Sequence, residues 1–135
     1  MTHPPYDNPS TLPEPLGVYS HVARAGDLLF VAGQVGARAD GSLAGDDVES
    51  QLRQTFENIS LALESQGATL RDIVKTTSYL PKEENLDKFV AARVELFRTI
   101  FPDGEYPPNT LLIGNRLIHA EFEVEIEAIA YSPQR

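Results

Sequence analysis

Several short segments of the chain have the apolar pattern of buried strands. Leu28–Gln34 is a run of β-forming residues with two apolar faces, which is typical of a strand covered on both sides. Tyr19–Ala23 is predicted to be its partner strand, with a turn at Ala25-Gly26-Asp27 between them. Two further short segments are predicted as strands: Ile73–Leu80, which is rich in β-branched residues, and Thr110–Gly114.

Two longer segments have apolar residues at helical spacing instead. The first helix is predicted at about Asp47–Gln66, with a capping box formed by Asp46 and Glu49 and a C-cap at Gly67. The second is predicted from about Asn85 to Ile100. Each helix has a single apolar stripe, so we expect both helices to pack on the same side of a sheet.

The last predicted strand, Glu121–Tyr131, alternates acidic and apolar residues. Period two places its four glutamates on one face; they are Glu121, Glu123, Glu125 and Glu127. Two interpretations remain open. Either all four are solvated or paired with basic residues such as Lys75, Arg116 or Arg38, or one is partly buried. In the second case its pKa would rise, and it could exchange a proton with a bound water or substrate.

The predicted order of elements is β-β-α-β-α-β-β, which indicates an α+β fold with two helices on one face of a mixed sheet. The strands next to the glutamate-bearing strand are apolar on both sides. A sheet with apolar residues on its uncovered face is expected to associate with a partner through that face. The alternative is a solvated outer face with some exposed aliphatic side chains.

Composition adds limits on domain number and function. The 135 residues carry a net charge of −9, and this length suits a single domain, predicted at residues 16–132 after a proline-rich arm at residues 1–15. The acidic charge argues against nucleic-acid binding and against docking on anionic lipid.

The chain has no cysteine, which excludes disulfides, thiolate nucleophiles and cysteine zinc sites. His3, His21 and His119 lack the spacing of a zinc site, so no metal is expected. The N-terminus lacks the pattern of a secretory signal, and together with the missing cysteines this suggests the cytosol.

Three motifs resemble those of one known family. Val18-Tyr19-Ser20 followed by the run from Ala25 to Gln34 is the first, the run from Gly67 to Thr77 is the second, and Val124-Glu125-Ile126-Glu127-Ala128-Ile129-Ala130 is the third. In this order they resemble the YjgF/RidA reactive-intermediate deaminase family over residues 16–131.

The resemblance implies a chorismate-mutase-like fold and a homotrimer with a central β-barrel. Three equivalent clefts would lie between neighbouring subunits. It also implies the hydrolysis of 2-imino and 2-enamino acids to ammonia and 2-keto acids, with no metal or organic cofactor. The substrate is then a small molecule in an inter-subunit cleft.

The resemblance assigns roles to individual residues. Tyr19 matches a tyrosine that lines the cleft, Gly33 and Gln34 match the strand end that borders it, and the main-chain amide of Leu111 would face the ligand. Glu125 matches the glutamate proposed to orient or activate the attacking water, and is the expected catalytic residue.

One position departs from the family pattern. Where the family has an arginine that grips the substrate carboxylate, this chain has Asn109. A neutral amide replaces a charged bidentate donor, so we expect altered substrate specificity. Arg93 stands where many members have asparagine. It either restores a positive charge near the cleft or faces solvent. The alternative to an imine or enamine deaminase is a non-catalytic trimer that binds a small metabolite or a partner protein.

Overall fold

Six strands form one mixed sheet, and two helices pack on one of its faces. The computed structural model describes residues 6–134, in which the strands are β1 (Tyr6–Asp7), β2 (Val22–Ala25), β3 (Leu28–Gln34), β4 (Ile73–Leu80), β5 (Asn109–Ile113) and β6 (Glu125–Tyr131). The helices are α1 (Val48–Glu64) and α2 (Leu86–Ile100), and short 3-10 turns precede β4 and α2. The predicted α+β class and element order are confirmed, with the short strand β1 added at the start.

The strand order in the sheet is β1-β2-β3-β6-β4-β5. Strand β6 lies in the interior and pairs antiparallel with both β3 and β4, whereas β4 and β5 are parallel. Parallel neighbours require a crossover connection, which α2 provides. The register of β3 against β6 shifts between Val31 and Gln34, so β3 contains a bulge that includes Gly33.

The core lies between the helices and the sheet face that they cover. Leu52, Ile59 and Leu63 of α1 and Phe89 of α2 are 0% exposed, as is Leu29 of β3. Burying each such side chain stabilises the fold by about 1.5–3 kcal/mol relative to its exposed form. The apolar stripe predicted for α1 makes this contact. The stripe predicted for α2 does so only in part, because Val90 and Val94 are 38% and 48% exposed.

The start of α1 differs from the prediction by one residue. Asp47, and not Asp46, is the N-cap, and its Oδ2 accepts a hydrogen bond of 2.8 Å from the Ser50 backbone N–H. This bond holds the pKa of Asp47 below its usual value. At the other end the C-cap is Ser65. Gly67 follows in the left-handed conformation with φ +78°, and this favours glycine there.

The opposite face of the sheet carries apolar side chains that nothing in the described chain covers. Leu28, Phe30 and Tyr131 are 38%, 41% and 51% exposed, and Leu28 pairs with Tyr131 across β3 and β6. We call this surface, formed by Leu28, Phe30 and Tyr131, the open sheet face. The apolar residues expected on the uncovered side of the sheet are therefore present.

Three predicted strands have different limits in the structure. Strand β5 is Asn109–Ile113 in place of the predicted Thr110–Gly114. The partner of β3 begins at Val22, so Tyr19 lies before the strand. Strand β6 begins only at Glu125, because the Gln51 side chain bonds the backbone of the preceding segment. Its amide donates to the Glu121 carbonyl at 3.1 Å and accepts from the Glu123 N–H at 2.8 Å.

The prediction of four glutamates on one strand face is therefore wrong, and only Glu125 and Glu127 share a strand. Glu123 is instead buried at 7% exposure. Its carboxylate bonds Lys82 Nζ at 2.7 Å and Asn85 Nδ2 at 2.6 Å. It serves to fix the β4–α2 connection to the start of β6.

The arm lies partly outside the described residues, which begin at residue 6. Tyr6 pairs with Ala23 at the edge of the sheet, and Leu12 is buried in the main core at 5% exposure. Neither helix in residues 6–134 combines the length and the apolar character needed to cross a membrane.

Candidate functional site

Glu125 lies directly against Gly33, on the neighbouring strand. A Cβ placed on Gly33 would overlap the Glu125 carboxylate and would lie 2.8 Å from its Cδ atom. Glu125 is the first residue of β6, and Gly33 lies within the register shift of β3 between Val31 and Gln34. The absence of a side chain at position 33 therefore makes room for the glutamate.

The Glu125 carboxyl is half-buried, and this burial raises its pKa above the usual value. The charge of Glu127, two residues along the same strand face, raises that pKa further. Glu127 itself accepts a hydrogen bond of 3.2 Å from the Tyr79 hydroxyl. A carboxylate with a raised pKa is a better proton acceptor at neutral pH than an ordinary solvated one.

Four of the predicted site residues line one cavity of about 690 Å³: Tyr19, Gly33, Gln34 and Glu125. This volume is within the range of small-molecule sites. Leu16, Val35, Ile118 and Phe122 add apolar walls. The structure thus brings together the glutamate and three of the residues expected to border the substrate.

His21 also lines this cavity, and the sequence interpretation did not include it. Its Nε2 lies 2.7 Å from the Pro13 carbonyl, which can only accept, so Nε2 carries the hydrogen. Its Nδ1 then accepts from Gln34 Nε2 at 3.1 Å, and the same Gln34 amide donates to the Ala32 carbonyl. These bonds fix the end of β3 next to Gly33.

The charged groups around this cavity are all acidic. Its lining includes four carboxylates and neither a lysine nor an arginine among the described residues; the four are Glu14, Asp40, Glu121 and Glu125. Across residues 6–134, no three His, Asp or Glu side chains group as ligands for a metal ion. A ligand of this cavity therefore meets hydrogen-bonding groups and negative charge.

Asn109 lies elsewhere, on the face of the sheet that the helices cover. Its Oδ1 accepts hydrogen bonds of 2.9 Å from both Thr76 Oγ1 and Ser78 Oγ, whose residues are 3% and 2% exposed. Glu125 faces the other way, with Glu127 and Tyr79. Within one chain, Asn109 and Glu125 therefore cannot contact the same small ligand.

Leu111 presents its backbone and its side chain to different surroundings. The side chain packs against the main core. The Thr76 N–H donates to the Pro108 carbonyl, and the Gly114 N–H donates to the Leu80 carbonyl. In a parallel strand only every second residue bonds a given neighbour. Because Pro108 and Gly114 bond β4, the even-numbered residues of β5 face β4, and the Leu111 N–H points to the open edge of β5. That edge is free in the described sheet.

The comparisons with known proteins agree with this architecture. The family model described as Endoribonuclease L-PSP matches residues 10–132. The chain belongs to this family, the YjgF/RidA family. A RutC family protein of Pyrococcus horikoshii is 35% identical over 120 residues, which are 88% of this chain and 90% of the relative. The RutC family protein YjgH of Escherichia coli is 36% identical over 118 residues, 87% of this chain and 85% of the relative.

Solved structures of the YjgF/RidA family have the same fold. The Escherichia coli YjgF gene product superposes with a TM-score of 0.82 at 26% identity, covering 92% of this chain and 95% of that chain. The Rid family protein YyfA of Yersinia pestis gives a TM-score of 0.84 at 27% identity, covering 96% and 99%. The predicted family and fold are confirmed.

Proposed function

We propose that this protein hydrolyses an imine or enamine and releases ammonia, with Glu125 as its catalytic residue. The observation that carries the proposal is the half-buried Glu125 carboxyl, whose pKa is raised, at the wall of a ligand-sized cavity. Membership of the YjgF/RidA family supports it. Because position 109 is asparagine, we expect the substrate to bind without the arginine that other family members have there.

The reaction needs a water molecule held near the imine carbon and a side chain that can accept a proton and then donate it. Water attacks the imine carbon, and the C=N double bond becomes a C–N single bond while the Glu125 carboxylate takes a proton from the water. The carboxyl then returns that proton to the nitrogen. Glu125 next takes the proton of the new hydroxyl group and passes it to the nitrogen. As the C–N bond breaks, ammonia leaves and the oxygen forms the carbonyl. General base catalysis of this kind contributes about 10²–10⁴-fold to a rate.

The assembly that we propose is a homotrimer with the active site between two copies. The open sheet face supports association, because apolar residues exposed on a sheet favour a partner. The placement of Asn109 and Glu125 on opposite faces also supports it, since only a second copy can bring the Asn109 side of one chain to the Glu125 side of another.

Sedimentation tests the assembly. We expect a mass about three times the 14.9 kDa of the chain, and dissociation after Phe30→Lys, which places a charge on the open sheet face. A monomeric wild-type protein would contradict the proposed assembly.

RNA cleavage, which the family model's description names, is not favoured by this cavity. Nucleic-acid affinity depends on lysine and arginine contacts to phosphates, and the lining carries four carboxylates and no basic side chain among the described residues.

The experiment that tests the proposed reaction is ammonia release from 2-iminopropanoate generated in situ. Glu125→Gln should lower the rate by about 10²–10⁴-fold if the carboxylate moves the proton. Glu127→Gln is the matched control, because it removes the same charge from the same strand face, next to a different cavity. Since the Glu127 charge raises the pKa of Glu125, this variant should lower the rate only modestly. Equal activity of Glu125→Gln and the wild type would show that Glu125 is structural.

The occupied amide oxygen of Asn109 favours a second candidate, a trimer that binds a small metabolite without turnover. Hydroxyls of Thr76 and Ser78 already use that oxygen. Binding of 2-keto acids, seen as a thermal shift, without ammonia release from any imine of a panel would support the binding module over the enzyme.

A further inference from the structure

A second cavity, of about 350 Å³, lies between α2 and the segment that leads into β5. Its lining is Arg93, Val94, Phe97, Tyr106, Pro107 and Asn109. Val94, Phe97 and Pro107 form apolar walls, and Tyr106 stacks at 5.9 Å from Phe97. Among residues 6–134, the lining contains one formal charge, the guanidinium of Arg93. The cavity therefore suits a small molecule with an apolar body and a group that pairs with a cation.

The Arg93 guanidinium forms no hydrogen bond or ion pair with any residue in the range 6–134. Its Cζ lies 5.0 Å from the ring centroid of Phe89, which is itself 0% exposed. Stacking on an aromatic ring uses the face of a guanidinium and leaves its in-plane N–H donors free. Burial lowers the pKa of Arg93, which reflects lost hydration that a bound anion would replace.

The other arginines in the described chain are engaged or solvated. Arg24, Arg38 and Arg116 donate to backbone carbonyls. Two more form ion pairs, Arg53 with Glu95 and Arg71 with Asp103. Arg98, which has no such partner, is exposed on the same helix. Among the arginines of residues 6–134, Arg93 is therefore the one that lines a cavity and also has no partner for any of its N–H donors.

Asn109 provides a second donor to the same cavity. Because Thr76 and Ser78 hold its Oδ1, its orientation is fixed, and its Nδ2 is left as a donor. An arginine and a fixed amide N–H together match the two oxygens of a carboxylate.

We propose that Arg93, with Asn109 Nδ2, binds the carboxylate of a small monocarboxylic ligand with a short apolar body. This deepens the proposed function and rests on it where the ligand is the substrate or the keto-acid product. It gives the cleft the cationic anchor that position 109 lacks. The acidic cavity around Glu125 cannot supply that anchor.

Calorimetric titration of the intact protein with 2-oxobutanoate tests the binding step apart from turnover. Arg93→Gln should weaken binding by about tenfold or more, as expected for loss of a charge-assisted bidentate pair. The affinity of Arg93→Lys should lie between those of the wild type and Arg93→Gln, since lysine keeps the positive charge but lacks the two-pronged donor geometry of arginine. Arg98→Gln, which removes the same charge from the same helix, should bind like the wild type.

The neutral 2-oxobutanamide separates charge recognition from packing, and it should bind the wild type and Arg93→Gln equally. Unchanged 2-oxobutanoate binding in Arg93→Gln, equal losses in Arg93→Gln and Arg98→Gln, or no binding by the wild type would each overturn the proposal. Binding that depends on Arg93 without ammonia release would sustain the anchor and contradict the hydrolase. If Arg93→Gln still releases ammonia with an unchanged KM, the hydrolase is supported and the role of Arg93 as carboxylate anchor is contradicted.

Discussion

The carboxylate of Glu125 fills the space that a side chain at Gly33 would need. A Cβ at position 33 would lie 2.8 Å from Glu125 Cδ and 3.0 Å from its Cγ. Both are atoms of a flexible side chain, so Gly33→Ala should fold while forcing the carboxylate to turn away. We expect ammonia release to fall by about 100-fold, the scale of a small displacement of a catalytic group, with a thermal midpoint close to the wild type.

Gly36→Ala is the informative contrast to Gly33→Ala. A Cβ at Gly36 would lie 2.5 Å from the backbone Cα of Gln51, near the start of α1, and helix backbone cannot turn aside as a flexible side chain can. Overpacking of this kind costs about 1–3 kcal/mol, so Gly36→Ala should lower the midpoint of thermal unfolding clearly. If Gly33→Ala destabilises the protein as much as Gly36→Ala, the space at Gly33 serves packing and not the orientation of Glu125.

Glu125→Gln should make the folded protein more stable at neutral pH. The folded state raises the pKa of Glu125, so it favours the protonated carboxyl. The associated stability is complete below the unfolded pKa and is lost as pH rises through the folded pKa. Above that range the wild type retains an ionised, poorly hydrated carboxylate that glutamine does not have.

We expect Glu125→Gln to gain on the order of 0.5 kcal/mol at neutral pH, a small value because solvent screens a half-buried group. The gain should shrink as the pH falls through the folded pKa, and it should vanish below the unfolded pKa of about 4.3, where Glu125 is protonated in both states. Thermal unfolding of both proteins across this pH range measures it. A gain that grows on acidification would contradict the assigned direction of the pKa shift.

Asn58 links α1 to the chain after β3, and its removal should destabilise the fold. Its Nδ2 donates to the Val35 carbonyl at 3.0 Å and to the Ala37 carbonyl at 2.8 Å, and the residue is 1% exposed. Asn58→Ala leaves two carbonyls without their donor, which costs about 2–3 kcal/mol. Denaturant unfolding measures this cost.

Gln54→Ala serves as its control. Gln54 only donates to Asn58 Oδ1 from a half-buried position, so its loss should cost under about 1 kcal/mol. Similar losses in the two variants would show that the bonds from Asn58 to the carbonyls contribute little.

The sequence predicted elements well where local pattern and burial agree. Leu28–Gln34 and Ile73–Leu80 have the predicted bounds because each is a short run of β-forming residues in the interior of the sheet. The alternation in Glu121–Tyr131 predicted a strand that starts four residues too early. The side chain of Gln51, 70 residues away from Glu121 in sequence, bonds the backbone within those four residues. Local periodicity contains no information about such a contact.

In the candidate site too, relationships set by local motifs were predicted and those set by contacts distant in sequence were not. The motif around Glu125 and Gly33 placed both on one cavity, because neighbouring strands bring them together. The direction of the Asn109 side chain depends on the parallel register that sets it beside Thr76, 33 residues away. Whether Arg93 faces solvent or a cavity depends on where the segment before β5 passes α2. Neither relationship could be read from spacing along the chain.

Asn109→Arg is the variant in which stability and function should move in opposite directions. Arginine has no acceptor, so the Thr76 and Ser78 hydroxyls lose the oxygen that binds both. Buried hydroxyls without a partner cost about 1–3 kcal/mol, and the thermal midpoint should fall. A second guanidinium beside Arg93 should at the same time strengthen carboxylate binding and raise the rate of 2-iminopropanoate hydrolysis. If the midpoint falls and the rate does not rise, the cavity around Asn109 is separate from the site of the reaction.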